Sequence, residues 1–278
     1  MHPDLKVCLG NKLYRVDRPW PSGYTDFRAM CDVVVLNDGR IVAVFRREPQ
    51  LVVFSPDGRH LESLAVPQLV NAHYARARPG GGLLVADLSL HAIVKLDARC
   101  RFEGYLGQPG QPAWGAPFNS PTCAFETPGG TVYASDGYGN SCLHAFRPDG
   151  SHWFTKGQPG TGPGQFSTPH AVVVTPEGQV LVSDRENNRV QVFDAEGNWL
   201  RDIGLLYKPM ALALTPDGHL LVTDQTPRLS LFSLDGTLLG RCRTDGVSGH
   251  GLSVGPDGCI YLAEMVPDTL TRLVPVAS

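Results

Sequence analysis

No apolar stretch in the 278 residues approaches the roughly 20 needed to cross a bilayer, which excludes a membrane-spanning helix. No run of Lys or Arg stands out, and the formal net charge is only −3, so nucleic acid and anionic membrane are not expected as partners. The opening residues MHPDLKVCLGNKLYRV are polar and charged where a signal peptide would be apolar, and a soluble, cytoplasmic protein is expected. The seven cysteines are odd in number and include no CxxC pair, which speaks against a disulfide framework or a thiolate metal site and for reduced, mostly buried thiols. No linker-like or low-complexity segment is long enough to separate domains. The Gly/Pro/Gln-rich pieces at 107–117 and 157–165 read as loops, and residues 1–278 read as one domain.

Turn formers are abundant instead, with 31 glycines and 23 prolines punctuating short β-branched runs. A period of roughly 40–48 residues recurs along the chain, the length of a propeller blade. A turn glycine fixes its register at Gly39, Gly81, Gly130, Gly178, Gly218 and Gly258. A third-strand apolar anchor follows at Phe54, Leu96, Phe146, Phe193 and Phe232, with Leu273 weaker. Asp87, Asp136, Asp184 and Asp224 each lie six residues past their glycine. The fold predicted is all-β, a six-bladed β-propeller. Its last copy has little room for a fourth strand, and the N-terminal stretch Lys12–Val16 is expected to supply it and close the ring.

Eight residues before each turn glycine lies one slot, at the start of the first strand. It holds Cys31, His73, Thr122, His170, Met210 and His250 in blades one to six. In a propeller that strand lines the channel, so three histidines in alternate blades would converge on the axis. Three imidazoles with an open fourth position are the ligand set of a catalytic zinc. Cys31 is a conceivable further ligand; Thr122 and Met210 are poor ones. His2, His60, His91, His144, His152 and His219 bear no such relation and read as surface or turn residues. A second slot follows strand two at the same end of the blade. Arg46 and Arg185 stand seven residues past their glycine, and Arg47 and Tyr138 eight. A phenol and guanidinium groups beside a metal suit proton transfer and carboxylate binding.

SDGYGNSCLHAF (135–146), FSTPHAVVV (166–174) and DRENNRVQVF (184–193) resemble the peptidyl-α-hydroxyglycine α-amidating lyase domain, an NHL-repeat propeller. The resemblance extends more weakly from about Val42 to the C-terminus. It implies zinc on His73, His170 and His250, an active-site Tyr138, and active-site arginines at Arg185 and Arg47. It implies the splitting of an N–Cα carbinolamide into an amide and glyoxylate, with a small, carboxylate-bearing substrate. The family's secreted members have two disulfides; the matching positions here are Asn119, Gly139, Leu181 and Val192. The family has an Asp after the third zinc histidine that helps hold calcium, and Gly251 stands there, so calcium (Ca2+) is a doubtful cofactor. The alternatives are a zinc hydrolase of a lactone, ester or amide in the same site, and a non-catalytic NHL interaction module.

Overall fold

A computed structural model describes residues 5–243 and 249–276. It is a six-bladed, all-β propeller whose six sheets follow the predicted register; among the described residues the one helical segment is a 3-10 turn, Arg185–Asn187. Blade four shows the plan: Pro169–Val174, Val180–Asp184, Arg189–Phe193 and Trp199–Ile203 pair in sequence order as antiparallel neighbours. The glycine at each first turn is required by conformation, as at Gly178 with φ +86°.

Inner and outer strands differ as their sequences do. Ile41–Phe45 (IVAVF) and Val180–Asp184 (VLVSD) are buried throughout, whereas the fourth strand His60–Leu64 (HLESL) is mostly exposed. A strand covered on both faces reads as a continuous apolar run, and one with a wet face does not. Phe54, Phe193 and Phe232 of the third-strand series are at most 1% exposed; each such ring contributes about 1.5–3 kcal/mol through burial.

The chain divides into two compact units, Met1–Leu64 with Met210–Ser278, and Ala65–Pro209. The first carries blades one, five and six, the second blades two, three and four. In blade six the predicted closing strand is present as Lys12–Asp17, paired antiparallel with Asp268–Pro275 from Tyr14↔Pro275 to Asp17↔Arg272. A further strand not anticipated from sequence, Lys6–Leu9, pairs on its outer side and makes this sheet five-stranded.

The family's disulfide positions fall into two neighbouring pairs within the second unit. A Cβ on Gly139 would lie 2.4 Å from Cγ of Asn119, and Leu181 is the register partner of Val192. All seven cysteines are elsewhere and free. The wild-type protein is therefore expected to keep its melting temperature in strong reductant. Leu181→Cys combined with Val192→Cys, register partners on adjacent strands, should form a disulfide, read as a melting temperature that reductant lowers. Failure of the double variant to cross-link would contradict the packing described.

Candidate metal centre

The aspartates six residues past the turn glycines set the first strands in place. Asp87 accepts the amides of Val70 and Asn71 at 2.6 and 2.8 Å, just before His73. Asp136 accepts those of Asn119 and Ser120, both at 2.7 Å, just before Thr122, and Asp184 accepts Ser167 at 2.7 Å, before His170. Each buried carboxylate thus fixes the loop that delivers a slot residue, and a charged acceptor strengthens those bonds.

His73, His170 and His250 are all buried. Nδ1 of His73 lies 2.7 Å from the carbonyl of Thr122, the slot residue of blade three. Nδ1 of His250 lies 2.7 Å from the carbonyl of Cys31, the slot residue of blade one. A carbonyl only accepts, so both rings carry their proton on Nδ1 and present a bare Nε2. This is the tautomer and second partner that metal-ligating imidazoles have. In the second unit the ligand atoms of His73 and His170 lie within 4.8 Å of each other. His170 Nδ1 also meets the buried Tyr74 hydroxyl at 3.2 Å. His73 and His170 are placed to share a metal ion. The donor set of neutral imidazoles fits zinc.

Tyr138 joins this group. Its hydroxyl lies 3.0 Å from Nε2 of His170 and 3.4 Å from Nε2 of His73, while its ring is 44% exposed and open to a ligand. Nη1 of Arg185 donates to the same hydroxyl at 3.0 Å, with the guanidinium 5.3 Å from the ring centre. The phenol proton is thereby directed toward the imidazoles. Arg185 is itself braced: its Nε meets Glu186 at 3.0 Å, and Lys208 meets the other oxygen of Glu186 at 2.8 Å. Lys208, then Arg185, hold the Glu186 carboxyl below its ordinary range against the opposing effect of burial. Neither Glu186 nor Lys208 was singled out from sequence; Lys208 reaches in from the loop before blade five, and no spacing rule announces it.

Gly137 was also missed. A Cβ there would lie 1.9 Å from the Pro169 carbonyl, so only glycine lets the loop bearing Tyr138 lie against the strand bearing His170. The signal was its place beside Tyr138 in SDGY.

Arg47 is placed differently. Its Nε donates to the Arg28 carbonyl at 2.9 Å and its Nη1 to Glu48 at 3.1 Å. Its Nη2 reaches the Asp26 carbonyl at 2.9 Å and carboxylate at 2.8 Å. Cys31 is fully buried; its thiol donates to the Val44 carbonyl at 3.4 Å, and burial pushes it up to about 12. That is a poor state for a further ligand.

Two expectations need correction. His144 is no surface or turn residue: it is buried in Cys142–Phe146, with Nε2 3.3 Å from Asp136 and Nδ1 2.9 Å from Thr155. It stands two residues before its blade's Phe anchor, where Gln191 of blade four likewise donates to Asp184, at 3.0 Å. His91 is partly buried, its Nδ1 on the Asn119 carbonyl, and His2 lies outside the described residues. Gly251 leaves no vacancy for the family's Asp: a Cβ there would lie 2.3 Å from Oδ1 of Asp32. Gly251→Asp should cost about 1–3 kcal/mol, as overpacking does; an unchanged denaturation midpoint would contradict it.

Fold and site together define a six-bladed β-propeller in which His73 and His170 are placed to share a metal. The NHL repeat family matches residues 166–193. Relatives among known proteins include a probable peptidyl-α-hydroxyglycine α-amidating lyase of Caenorhabditis elegans, 24% identical over 87% of this chain and 72% of that protein. Peptidyl-glycine α-amidating monooxygenase of Mus musculus is 39% identical over 42% of this chain. NHL repeat-containing protein 3 of Mus musculus is 29% identical over 69% of it. The matches span 13% of the monooxygenase and 60% of the NHL repeat-containing protein. The resemblance to the amidating lyases is thus borne out, at the distance of remote homologues. Among solved structures, a streptogramin B lyase superposes with a TM-score of 0.70 at 13% identity, covering 95% of this chain and 98% of that one. A gluconolactonase from Xanthomonas campestris gives 0.68 at 14%, covering 95% and 90%. At such identities these two establish the fold alone. No described helix is long and apolar enough to cross a membrane.

Proposed function

We propose that this protein is a zinc-dependent lyase that cleaves the N–C bond of a carbinolamide of the α-hydroxyglycine type, releasing an amide and glyoxylate. The observation that carries this reading is the hydroxyl of Tyr138, held between Arg185 and the Nε2 atoms of His73 and His170. A second support is the homology to amidating lyases. His73, His170 and His250 would hold the metal, for which the Nδ1 partners of His73 and His250 speak. When bound, zinc supplies Lewis-acid polarisation of substrate oxygen.

The chain's own residues account for the rest. Arg185 binds the substrate carboxylate, with its Nε anchored on Glu186 and its Nη1 beside the Tyr138 hydroxyl. Tyr138, acting as a phenolate beside Arg185, takes the hydroxyl proton. The electrons of the broken O–H bond form the aldehyde carbonyl as the C–N bond breaks, and the departing nitrogen takes that proton from Tyr138 to become the amide.

The reading includes one domain, a small-molecule substrate and a cytoplasmic location, for which the seven free thiols speak. Incubating zinc-loaded protein with an N-acyl-α-hydroxyglycine and assaying glyoxylate tests it. No glyoxylate, with hydrolysis of esters or lactones, would establish the hydrolase in its place. Neither activity, with a protein bound at the same face, would establish the interaction module.

A further inference from the structure

We infer that the outer strands of blade five form a second ligand site, in which Arg228, Arg241 and Arg243 bind the phosphate group of a small molecule. The site is independent of the lyase reading, and every residue of it belongs to the first compact unit.

The strand register brings the three arginines to one face. Leu229–Phe232 and Leu238–Cys242 are the third and fourth strands of the blade. They pair Ser230↔Arg241 and then Leu229↔Cys242, so Arg228 and Arg243 stand one step further, at the open end of the hairpin. Residues opposite one another, or two apart along a strand, share a face. That places Arg228, Arg241 and Arg243 on the face of Ser230. The contacts agree: Nε of Arg241 donates to Oγ of the buried Ser230 at 3.1 Å, and Nε of Arg228 donates to Asp224 at 2.7 Å. All three arginines line a cavity of about 460 Å³, with Thr226 beside them.

The other blades fill the same place differently. The position of Arg243 is Gly107 in blade two and Gly157 in blade three, one step past Ile93↔Leu106 and Leu143↔Lys156. A Cβ on Gly107 would lie 2.6 Å from Cδ2 of Phe118, and a Cβ on Gly157 2.6 Å from Cδ2 of Phe166. Both rings are fully buried, so glycine there admits an aromatic plug from the connection that follows. An arginine at that position is incompatible with a ring so placed. Blade four makes the opposite electrostatic choice. Its Arg189, at the position of Arg228, meets Asp184 and Asp202, both at 2.9 Å. Asp202, the partner of Gln191, occupies the position that Arg241 holds in blade five. Where blade four closes its arginine between two acids, blade five keeps one acid and sets a second arginine in place of the other.

The charge left over selects the ligand. Among the described residues lining the cavity none is acidic, and Asp224 behind Arg228 is a single counter-charge to three guanidiniums. Burial, and after it Arg228, push the Arg241 guanidinium below its ordinary range, with Asp224 opposing. Like charges gathered at a concave surface raise the local concentration of anions. The surplus matches the charge of a phosphomonoester, close to two at neutral pH, rather than the single charge of a carboxylate. Guanidiniums on several sides suit the three outer oxygens of that group. The volume falls within the roughly 300–1,000 Å³ of small-ligand pockets and leaves room for an organic group beside the phosphate.

The test titrates the full chain calorimetrically with phenyl phosphate, inorganic phosphate and benzoate at about 0.15 M salt. Phenyl phosphate should bind about tenfold or more tighter than benzoate. Arg241→Gln should weaken phenyl phosphate binding about tenfold and Arg243→Ala about threefold or more, the scale of lost charge-assisted contacts. Arg101→Ala, which removes an exposed arginine from blade two, should change it by less than about twofold. Arg243 is exposed, so Arg243→Ala keeps the test decisive if Arg241→Gln does not fold. Tighter binding of phenyl phosphate than of inorganic phosphate identifies an organic phosphate as the ligand, and equal affinity identifies free phosphate. No saturable binding of either phosphate up to about 10 mM overturns the inference. So does benzoate binding as tight as phenyl phosphate, or phosphate binding that survives both arginine substitutions. Binding lost in His170→Ala but kept in the arginine variants would place the phosphate at the metal centre and overturn it too.

Discussion

Tyr138→Phe should leave zinc content and melting behaviour as in wild type and reduce glyoxylate release about 10²–10⁴-fold, the range for loss of a general acid–base group. The substitution removes one oxygen and keeps the ring. Arg185 loses the acceptor 3.0 Å from its Nη1, but retains Glu186. The fold is insensitive because Tyr138 is 44% exposed and its ring is not part of the buried core. Activity is sensitive because the Tyr138 hydroxyl meets both His73 and His170 at Nε2. Tyr74 reaches His170 from the opposite side of the ring, at Nδ1, and cannot substitute. A hydrolase that activates water would lose little on the same change. Parallel assays of glyoxylate release and ester hydrolysis therefore separate the two enzymes, and near-normal glyoxylate release by Tyr138→Phe would remove Tyr138 from the mechanism.

The second large effect concerns the metal. Purified protein should contain about one zinc per chain, His170→Ala should lose it, and His73→Ala or His250→Ala should bind it far more weakly. Three ligands are the minimum found in catalytic zinc sites, and removing one leaves two. The carbonyls of Thr122 and Cys31 hold their histidines by Nδ1. Replacing a ligand therefore removes both a donor and a prearranged ring, and loss of second partners alone costs metal affinity about 10–100-fold. Metal analysis after dialysis, paired with circular dichroism to verify folding, measures this. Stoichiometric zinc in the His170→Ala protein would refute the ligand assignment.

The blades were legible from sequence because one conformational demand recurs: a positive-φ turn glycine followed by a doubly buried strand. The slot histidines were legible because they are counted from that glycine. What escaped is what no period carries. Lys6–Leu9 pairs at the outer edge of blade six, outside the repeat. Glu186 and Lys208 meet through two loops of different lengths. Arg47 is tied to its own loop by Asp26, a contact that no spacing rule carries. His144 was misread because a histidine in an otherwise apolar third strand suggests exposure, until its acceptor Asp136 is seen on the adjacent strand.

Blade six places a condition on the order of events during synthesis. Asp17 and Arg272, which pair through both backbone register and a 2.7 Å ion pair, are 255 residues apart in the chain. The strand Lys12–Asp17 must wait, with an unsatisfied edge, until Asp268–Pro275 has been made. Blades two to four, whose strands are all sequence neighbours, face no such delay. Contacts of high sequence separation form late and slowly because their loop entropy is spent before any reward. The nascent chain therefore passes through a stage in which the histidines of blades two and four stand in finished sheets, while His250 and the strand that completes its blade do not. Metal capture by all three histidines would follow the completion of blade six.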